Sequence, residues 1–554
     1  MNRSKCRTLM LSAFMIFALS AVGHAATYYV DAVSGNDASA GTQTAPWKSL
    51  TKVNSTSLPA GSTVYFKAGG SFGSTFLTPS SGSASAPVSY TSYGTGAKPT
   101  LGGLNVAGKS YVKVSGLSFS SSSTVINMSS ANYITVDNCT INSTATGWSP
   151  AIQIQTNARY NRITNCIINQ SAGNNDTINL RGNADYNLFE GNTITVSGIH
   201  AAIDLEGQTG GGTAHYNIIK NNKLIGSRAA GALIGIQANS SYNIVEGNTL
   251  TGDGTNSGYC GSNSYARHEN MFKLVSVNNI VRNNIIKSYP CRDSLGLTME
   301  AYNYGGFNNI ASGNRIYNNV ITGIGVGGTP LYLGDNGSGG SNFNNVLKNN
   351  IVYNNGGTYY QTNQDGSWPS DTANLQMRVQ TSSQVYNNTF QNNLFYKNGI
   401  SGLMWVNNAY YSVAQAQAWN PTLYKGNLQT DPLLDATTLR PTANSPVKGA
   451  GAHLTTVASA SGSGTTIKVA DASYFTAGLG LMTGDTIQVG TQRATIKAVD
   501  YATNTLTLAA SISWTQGANV DLPYSGTAPD MGLLPASTSA PVATLSAPTG
   551  LTVN

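Results

Sequence analysis

VDNCTI (136–141), ITNCII (163–168), FEGNTI (189–194), IKNNKL (219–224), VEGNTL (245–250), VRNNII (281–286), ASGNRI (311–316), LKNNIV (347–352) and FQNNLF (390–395) share one pattern. In most of them, apolar residues five apart bracket a fixed fourth position. That position is occupied in turn by Cys139, Cys166, Asn192, Asn222, Asn248, Asn284, Asn314, Asn350 and Asn393. The shortest spacings are 26 residues, and the longer ones exceed this irregularly. Such a period suits a coil of three short strands whose turns accept insertions, so the chain is predicted to be an all-β solenoid. Stacked coils bring equivalent residues about 4.8 Å apart, where an inward Asn amide bonds the next amide and the bend's backbone. The asparagines therefore read as structural, and Cys139 and Cys166 as two apolar rungs with free thiols.

Composition agrees. Among 554 residues only 10% are charged, Gly numbers 61, and Tyr at 29 outnumbers Phe at 13, which excludes coiled coils and charge-rich helical bundles. The net charge of +7 is mild for this length and does not point to nucleic acid. Arg3, Lys5 and Arg7 precede an apolar run from Leu9 to Val22 and the small residues Gly23-His24-Ala25, as in a cleavable secretory signal. Its removal takes three positive charges, leaving +4, and no later run is long enough for a membrane anchor. Cys260 and Cys291 fall in loops of neighbouring coils, where a disulfide and two free thiols are both open.

Three stretches carry a resemblance. TYYVDAVSGNDASAGTQTAPWKSLTKV (27–53) with GSTVYFKAGG (61–70), the asparagine register, and LQTDPLL (428–434) with LRPTANSPVKGAGA (439–452) and APDMG (528–532) resemble right-handed parallel β-helix proteins of the pectate-lyase-like superfamily. The resemblance implies an entry strand, an N-terminal capping helix and a closing segment. Between Gly451 and Ala528, alternating strands such as GDTIQVG and RATIKAVD predict a small inserted β-domain. The expected organisation is a signal over 1–25, the β-helix over 26–452, the insert over 453–527, a return over 528–536 and a linker-like tail over 537–554.

Alternation assigns faces. Ile152, Ile154, Ile178, Leu180, Ile203, Leu205, Ile234 and Ile236 are expected inward, followed by Phe272, Leu274, Leu297, Met299, Leu331 and Leu333. Two outward columns result. The first reads Gln153, Asn179, Asp204, Gly235, Lys273, Thr298, Tyr332 and Gln376; the second reads Gln155, Arg181, Glu206, Gln237, Val275, Glu300, Gly334 and Arg378. In a chain so poor in charge, gathering Arg181, Asp204, Glu206, Lys273, Glu300 and Arg378 on one face, with Asp335 just beyond, is the functional signal. Arg267, His268, Tyr302, Tyr332 and Trp368 are expected beside it as substrate contacts, together with Arg181, Gln237 and Arg378. A polar groove of this length suits an extracellular polysaccharide, and a monomer is expected. The structural alternative is a solvated salt-bridge ladder.

NMFKLVSVNNIVRNN (270–284) resembles the lysine-bearing strand of the chondroitinase B and alginate lyase family, with Lys273 matching the catalytic lysine. The resemblance implies uronate β-elimination, in which a base takes the proton beside the carboxylate. A lysine does this only when neutral, so Glu269 and Glu300 must be otherwise engaged. Asp204, Glu206 and Glu300 are candidate Ca²⁺ ligands, with Glu300 also a candidate catalytic group. The family's next strand carries Leu-Arg-His-Gly, whereas this chain reads Leu297-Thr298-Met299-Glu300, so only Lys273 carries over. Two other readings stand beside it: a glycoside hydrolase using Asp204 and Glu206, and a noncatalytic glycan-binding or surface scaffold.

Overall fold

The asparagine register is half of a larger corner unit. The computed structural model describes residues 24–171, 175–197, 200–207, 211–226, 232–252, 270–289, 295–301, 303–304, 307–324, 329–335, 339–356 and 374–534. In it, YNLFEGN (186–192), YNIIKNN (216–222), YNIVEGN (242–248), NNIVRNN (278–284), GNRIYNN (313–319), NNVLKNN (344–350) and NNTFQNN (387–393) take one conformation. The first and sixth residues of each have positive φ, between 49° and 69°. The three residues between the corners form a strand, as in Leu188–Glu190 and Ile218–Lys220. Asn and Gly tolerate the left-handed region, which is why they crowd these corners.

Each corner turns one Asn inward, so there are two ladders. In the one read from sequence, Asn248 N and Nδ2 donate to Asn284 Oδ1 at 2.9 and 3.0 Å, and Nδ2 also donates to the Ile219 carbonyl at 2.8 Å. The second ladder runs through Asn161, Asn187, Asn217, Asn243, Asn279, Asn314, Asn345 and Asn388. Asn314 is thus corrected: Ile285 pairs with Val320, and Asn319 fills the rung between Asn284 and Asn350. Cys139 and Cys166 are buried free thiols, and the Cys139 N–H donates to Cys166 Sγ at 3.4 Å.

The coils stack into three parallel sheets of 14, 11 and 13 strands, apart from one antiparallel closing strand, Ala409–Tyr411. The right-handed parallel β-helix is the fold. At its start the helix Leu50–Ser55 covers the first coils with Leu50 and Val53, its N-cap Ser49 accepting from Lys52 N. The inward residues expected on the third sheet, from Ile152 to Leu333, are all at most 2% exposed.

The antiparallel sheet from Thr455–Thr456 to Asn519–Asp521 packs on the outer side of the first sheet. This explains why Leu188, Ile218, Ile244 and Ile280 are apolar although they point away from the helix core. Arg282 crosses the contact, bonding Glu246 Oε2 at 2.7 Å and Asp485 Oδ1 at 2.5 Å. The chain then returns, with Met531 N donating to the Val447 carbonyl.

Lys348 lies under this sheet, donating to the carbonyls of His453 and Leu454 at 3.1 and 3.0 Å. Burial brings its pKa down to about 8 from an ordinary 10.5, against the attraction of Asp471 and Asp521. The unfolded chain therefore binds the extra proton above pH 8, and stability should rise with pH from there. Buried Tyr317 and Tyr474, whose pKa values are raised by burial, reverse the trend above about pH 10. Denaturant unfolding at pH 8 and pH 10 should differ by about 2 kcal/mol, and Lys348→Met should remove that difference. An unchanged slope in the variant would refute the assignment.

Candidate functional site

The third sheet carries the charged face. Cross-coil pairing runs Gln153, Asn179, Asp204, Gly235, Lys273, Thr298 and Tyr332, as the alternation of side chains requires. Beyond Tyr332 the expectation fails. Tyr332 pairs with Arg378, which therefore belongs to the first column and not the second. Gln376 points inward, fully buried, and its Oε1 accepts from Asn355 Nδ2 at 3.0 Å as a further polar rung. Val275, expected outward, is also fully buried.

In the second column the ladder continues past the strand ends: Glu206 N donates to the Leu180 carbonyl and Gln237 N to the Leu205 carbonyl, each at 2.9 Å. Neighbouring coils thus hold Asp204, Glu206 and Gln237 together. Gln237 Nε2 donates to Asp204 Oδ2 at 2.6 Å, and Arg181 Nη2 pairs with Glu206 Oε2 at 2.7 Å.

Asp176 completes the cluster. It sits at the entry to Ile178–Leu180, where its Oδ1 accepts from Ala201 N and its Oδ2 from Asn179 Nδ2. One oxygen from each of Asp176, Asp204 and Glu206 lies within 4.8 Å of the others. The expected trio of Asp204, Glu206 and Glu300 is corrected accordingly. Glu300 pairs with Gly334 three coils beyond Glu206, too far along the axis to share an ion.

Burial holds the Asp204 carboxyl well above the ordinary carboxylate range, reinforced by the charges of Asp176 and Glu206 and opposed by Gln237 and Lys273. Asp176 is raised for the same first reason, then by Glu206. Asp204 Oδ1 is buried without a hydrogen-bond partner. A Cβ at Gly235 would stand 2.2 Å from that oxygen, so any side chain there would push the Asp204 carboxylate out of its present place. Three converging carboxylates, one with a partnerless buried oxygen, form an all-oxygen donor set that fits a hard divalent cation such as Ca²⁺.

The other expected residues are dispersed or differently engaged. Tyr332 is 4% exposed, its hydroxyl donating to Gln380 Oε1 at 2.9 Å and its ring lying 5.7 Å from the Arg378 guanidinium. Asp335 ends the strand Leu331–Asp335, buried, and accepts from Ser382 Oγ. His215 Nδ1 accepts from Ser241 N at 2.8 Å, a loop-holding role. Arg267, His268, Glu269, Tyr302, Trp368, Cys260 and Cys291 lie outside the described residues. Among the described residues no helix is long and apolar enough to cross a membrane.

Asp176 escaped the column reading because it precedes the strand and reaches the cluster through a bend. Its signal was a charged residue two places before the inward Ile178 in a charge-poor chain.

Residues 102–273 match the family described as right handed beta helix region. A lacto-N-biosidase of Bifidobacterium longum subsp. longum is 39% identical over 92 residues, which is 15% of this chain and 6% of that curated relative's length. The structure of a GH136 lacto-N-biosidase from Eubacterium ramulus is similar over 59% of this chain and 64% of its own, at 14% identity and a TM-score of 0.31. A mannuronic acid specific polysaccharide family 6 lyase from human gut microbiota is similar over 73% of this chain and 91% of its own, at 12% identity and a TM-score of 0.39.

Proposed function

We propose that this right-handed parallel β-helix protein is a secreted, monomeric, carbohydrate-active enzyme. It binds a uronate-containing polysaccharide along the outer face of its third sheet and cuts it by β-elimination. The observation that carries this reading is the convergence of Asp176, Asp204 and Glu206, with a partnerless oxygen on Asp204, two coils from Lys273 in the same column. Two coils correspond to roughly 10 Å, about the span of two sugar units.

Asp176, Asp204 and Glu206 would hold a divalent cation, and Arg181 and Gln237 fix the orientation of the acids. A bound cation would supply positive charge to the substrate carboxylate. Lys273 Nζ, two coils along and in its neutral form, takes the proton beside the carboxylate of the neighbouring uronate in the bound chain. The C–H electron pair becomes the new double bond as the C–O bond to the departing sugar breaks, and the departing oxygen takes a proton from a water molecule in the open groove.

A hydrolytic reading has its own support. Asp204 is held toward its neutral form beside Glu206, which is paired with Arg181, an arrangement suited to a general acid with an ionised partner. The two diverge in their products. Purified protein is incubated with acidic and neutral polysaccharides, with and without a chelator. Unsaturated uronate that disappears with chelation is the expected result; reducing ends without unsaturation would mean hydrolysis, and binding without product a scaffold. Cation affinity should also rise with pH, because Asp204 and Asp176 must lose their protons to bind it.

A further inference from the structure

Outside the acidic cluster, one large apolar side chain is presented to solvent beside it. Trp148 is 72% exposed, the most exposed aromatic ring among the described residues. It lies in the connection between Thr140–Ser143 of the second sheet and Ile152–Gln155 of the third, at the edge of the charged face. Its backbone is pinned: Asn175, itself 4% exposed, donates from Nδ2 to the Trp148 carbonyl from the following coil. Its ring meets the His200 ring at 5.4 Å with 71° between the planes, and His200 Nδ1 is 3.8 Å from Asp176 Oδ1. A continuous path of contacts therefore runs from the exposed indole through His200 to the acidic cluster.

A single exposed indole is ordinary by itself, but Trp148 is held from the next coil by buried Asn175 and joined through His200 to Asp176, which presents a flat apolar face beside the acidic cluster. The face of a pyranose ring, lined by C–H bonds and ringed by hydroxyls, matches an indole flanked by His200 and polar loops. We infer that Trp148 is the stacking platform for a sugar unit on the Asp176 side of the cleaved bond, and that it sets how long an oligosaccharide must be to bind well. This rests on the function proposed above, because the polymer is the one bound along the third sheet.

Trp148→Ala and Trp148→Phe are compared with wild type on oligouronates of increasing length prepared from alginate and polygalacturonate. Trp419→Ala, which alters another exposed indole at the C-terminal end of the β-helix, serves as control. Trp148→Ala should raise KM about tenfold for oligomers long enough to reach the platform while kcat changes little, and Trp148→Phe should recover most of the loss. Wild-type tryptophan fluorescence should change on binding, and that change should be smaller in Trp148→Ala than in wild type or Trp419→Ala. An unchanged KM for every length, in a variant that melts as wild type does, overturns the platform alone. Failure of wild type to bind either oligouronate series overturns the platform together with the proposed function.

Discussion

Lys273→Ala is expected to lower kcat/KM on a cleaved uronate polymer by about a thousandfold, within the range of removing a general base. The lysine lies in Asn270–Leu274, pairing with Gly235 on one side and Thr298 on the other. Glycine at 235 keeps the column open between Lys273 and Asp204, so both flank one stretch of bound chain. The side chain stands outward from a core made by Phe272 and Leu274, so its truncation should leave the melting temperature within a few degrees of wild type. Asp204→Asn should separate site from scaffold more sharply. It removes one charge from a buried cluster in which burial and two neighbouring acids already disfavour ionisation, so the protein should melt no lower than wild type. Activity and cation affinity should nevertheless fall. A Lys273→Ala protein with full lyase activity would show the base to be wrongly assigned.

The largest stability effect is expected at the ladders. Asn284 accepts from Asn248 N and Nδ2, and donates to Asn319 Oδ1 and to the Val245 carbonyl. Asn284→Ala would strand the Asn248 backbone N–H and remove the Asn284 donor from the Val245 carbonyl in a fully buried place, while Asn248 Nδ2 keeps the Ile219 carbonyl, and would open a small cavity beside them. Each unpaired buried group costs about 1–3 kcal/mol, so a total loss of about 4 kcal/mol is expected. Cys166→Ala, which removes a thiol at the start of the same ladder, should cost less than half as much. The check is the thermal midpoint of each variant under identical conditions. Equal shifts for the two would mean that the asparagine network is dispensable.

The solenoid was legible because a buried amide must repeat wherever a corner repeats, and Asn192, Asn222, Asn248 and Asn284 keep the same place in their motif although the gaps between them vary with the insertions. The second ladder was hidden by its resemblance to the first. Asparagines recur five residues upstream at 187, 217, 243 and 279, and the same spacing let Asn314 stand in for Asn319. Arg378 was misplaced by two residues because the insertion before it gives alternation no anchor, and Gln376 took an inward rung instead. On the charged face, columns of alternating residues placed Asp204, Glu206 and Lys273 on one side of the third sheet, as the cross-coil pairing does. They also offered Glu300 as a cation ligand, although it stands three coils from Glu206. Asp176 and Trp148 lie in connections, where position comes from a bend and a cross-coil hydrogen bond rather than from period.

Crystals of Lys273→Ala soaked with an uncleaved oligouronate would test the central claim most directly. The expected electron density is a sugar chain lying along the third sheet, with a uronate carboxylate facing Asp176, Asp204 and Glu206 and an adjacent ring over the truncated residue. A chain bound on another face, or none bound at a concentration that saturates the wild-type protein, would contradict it.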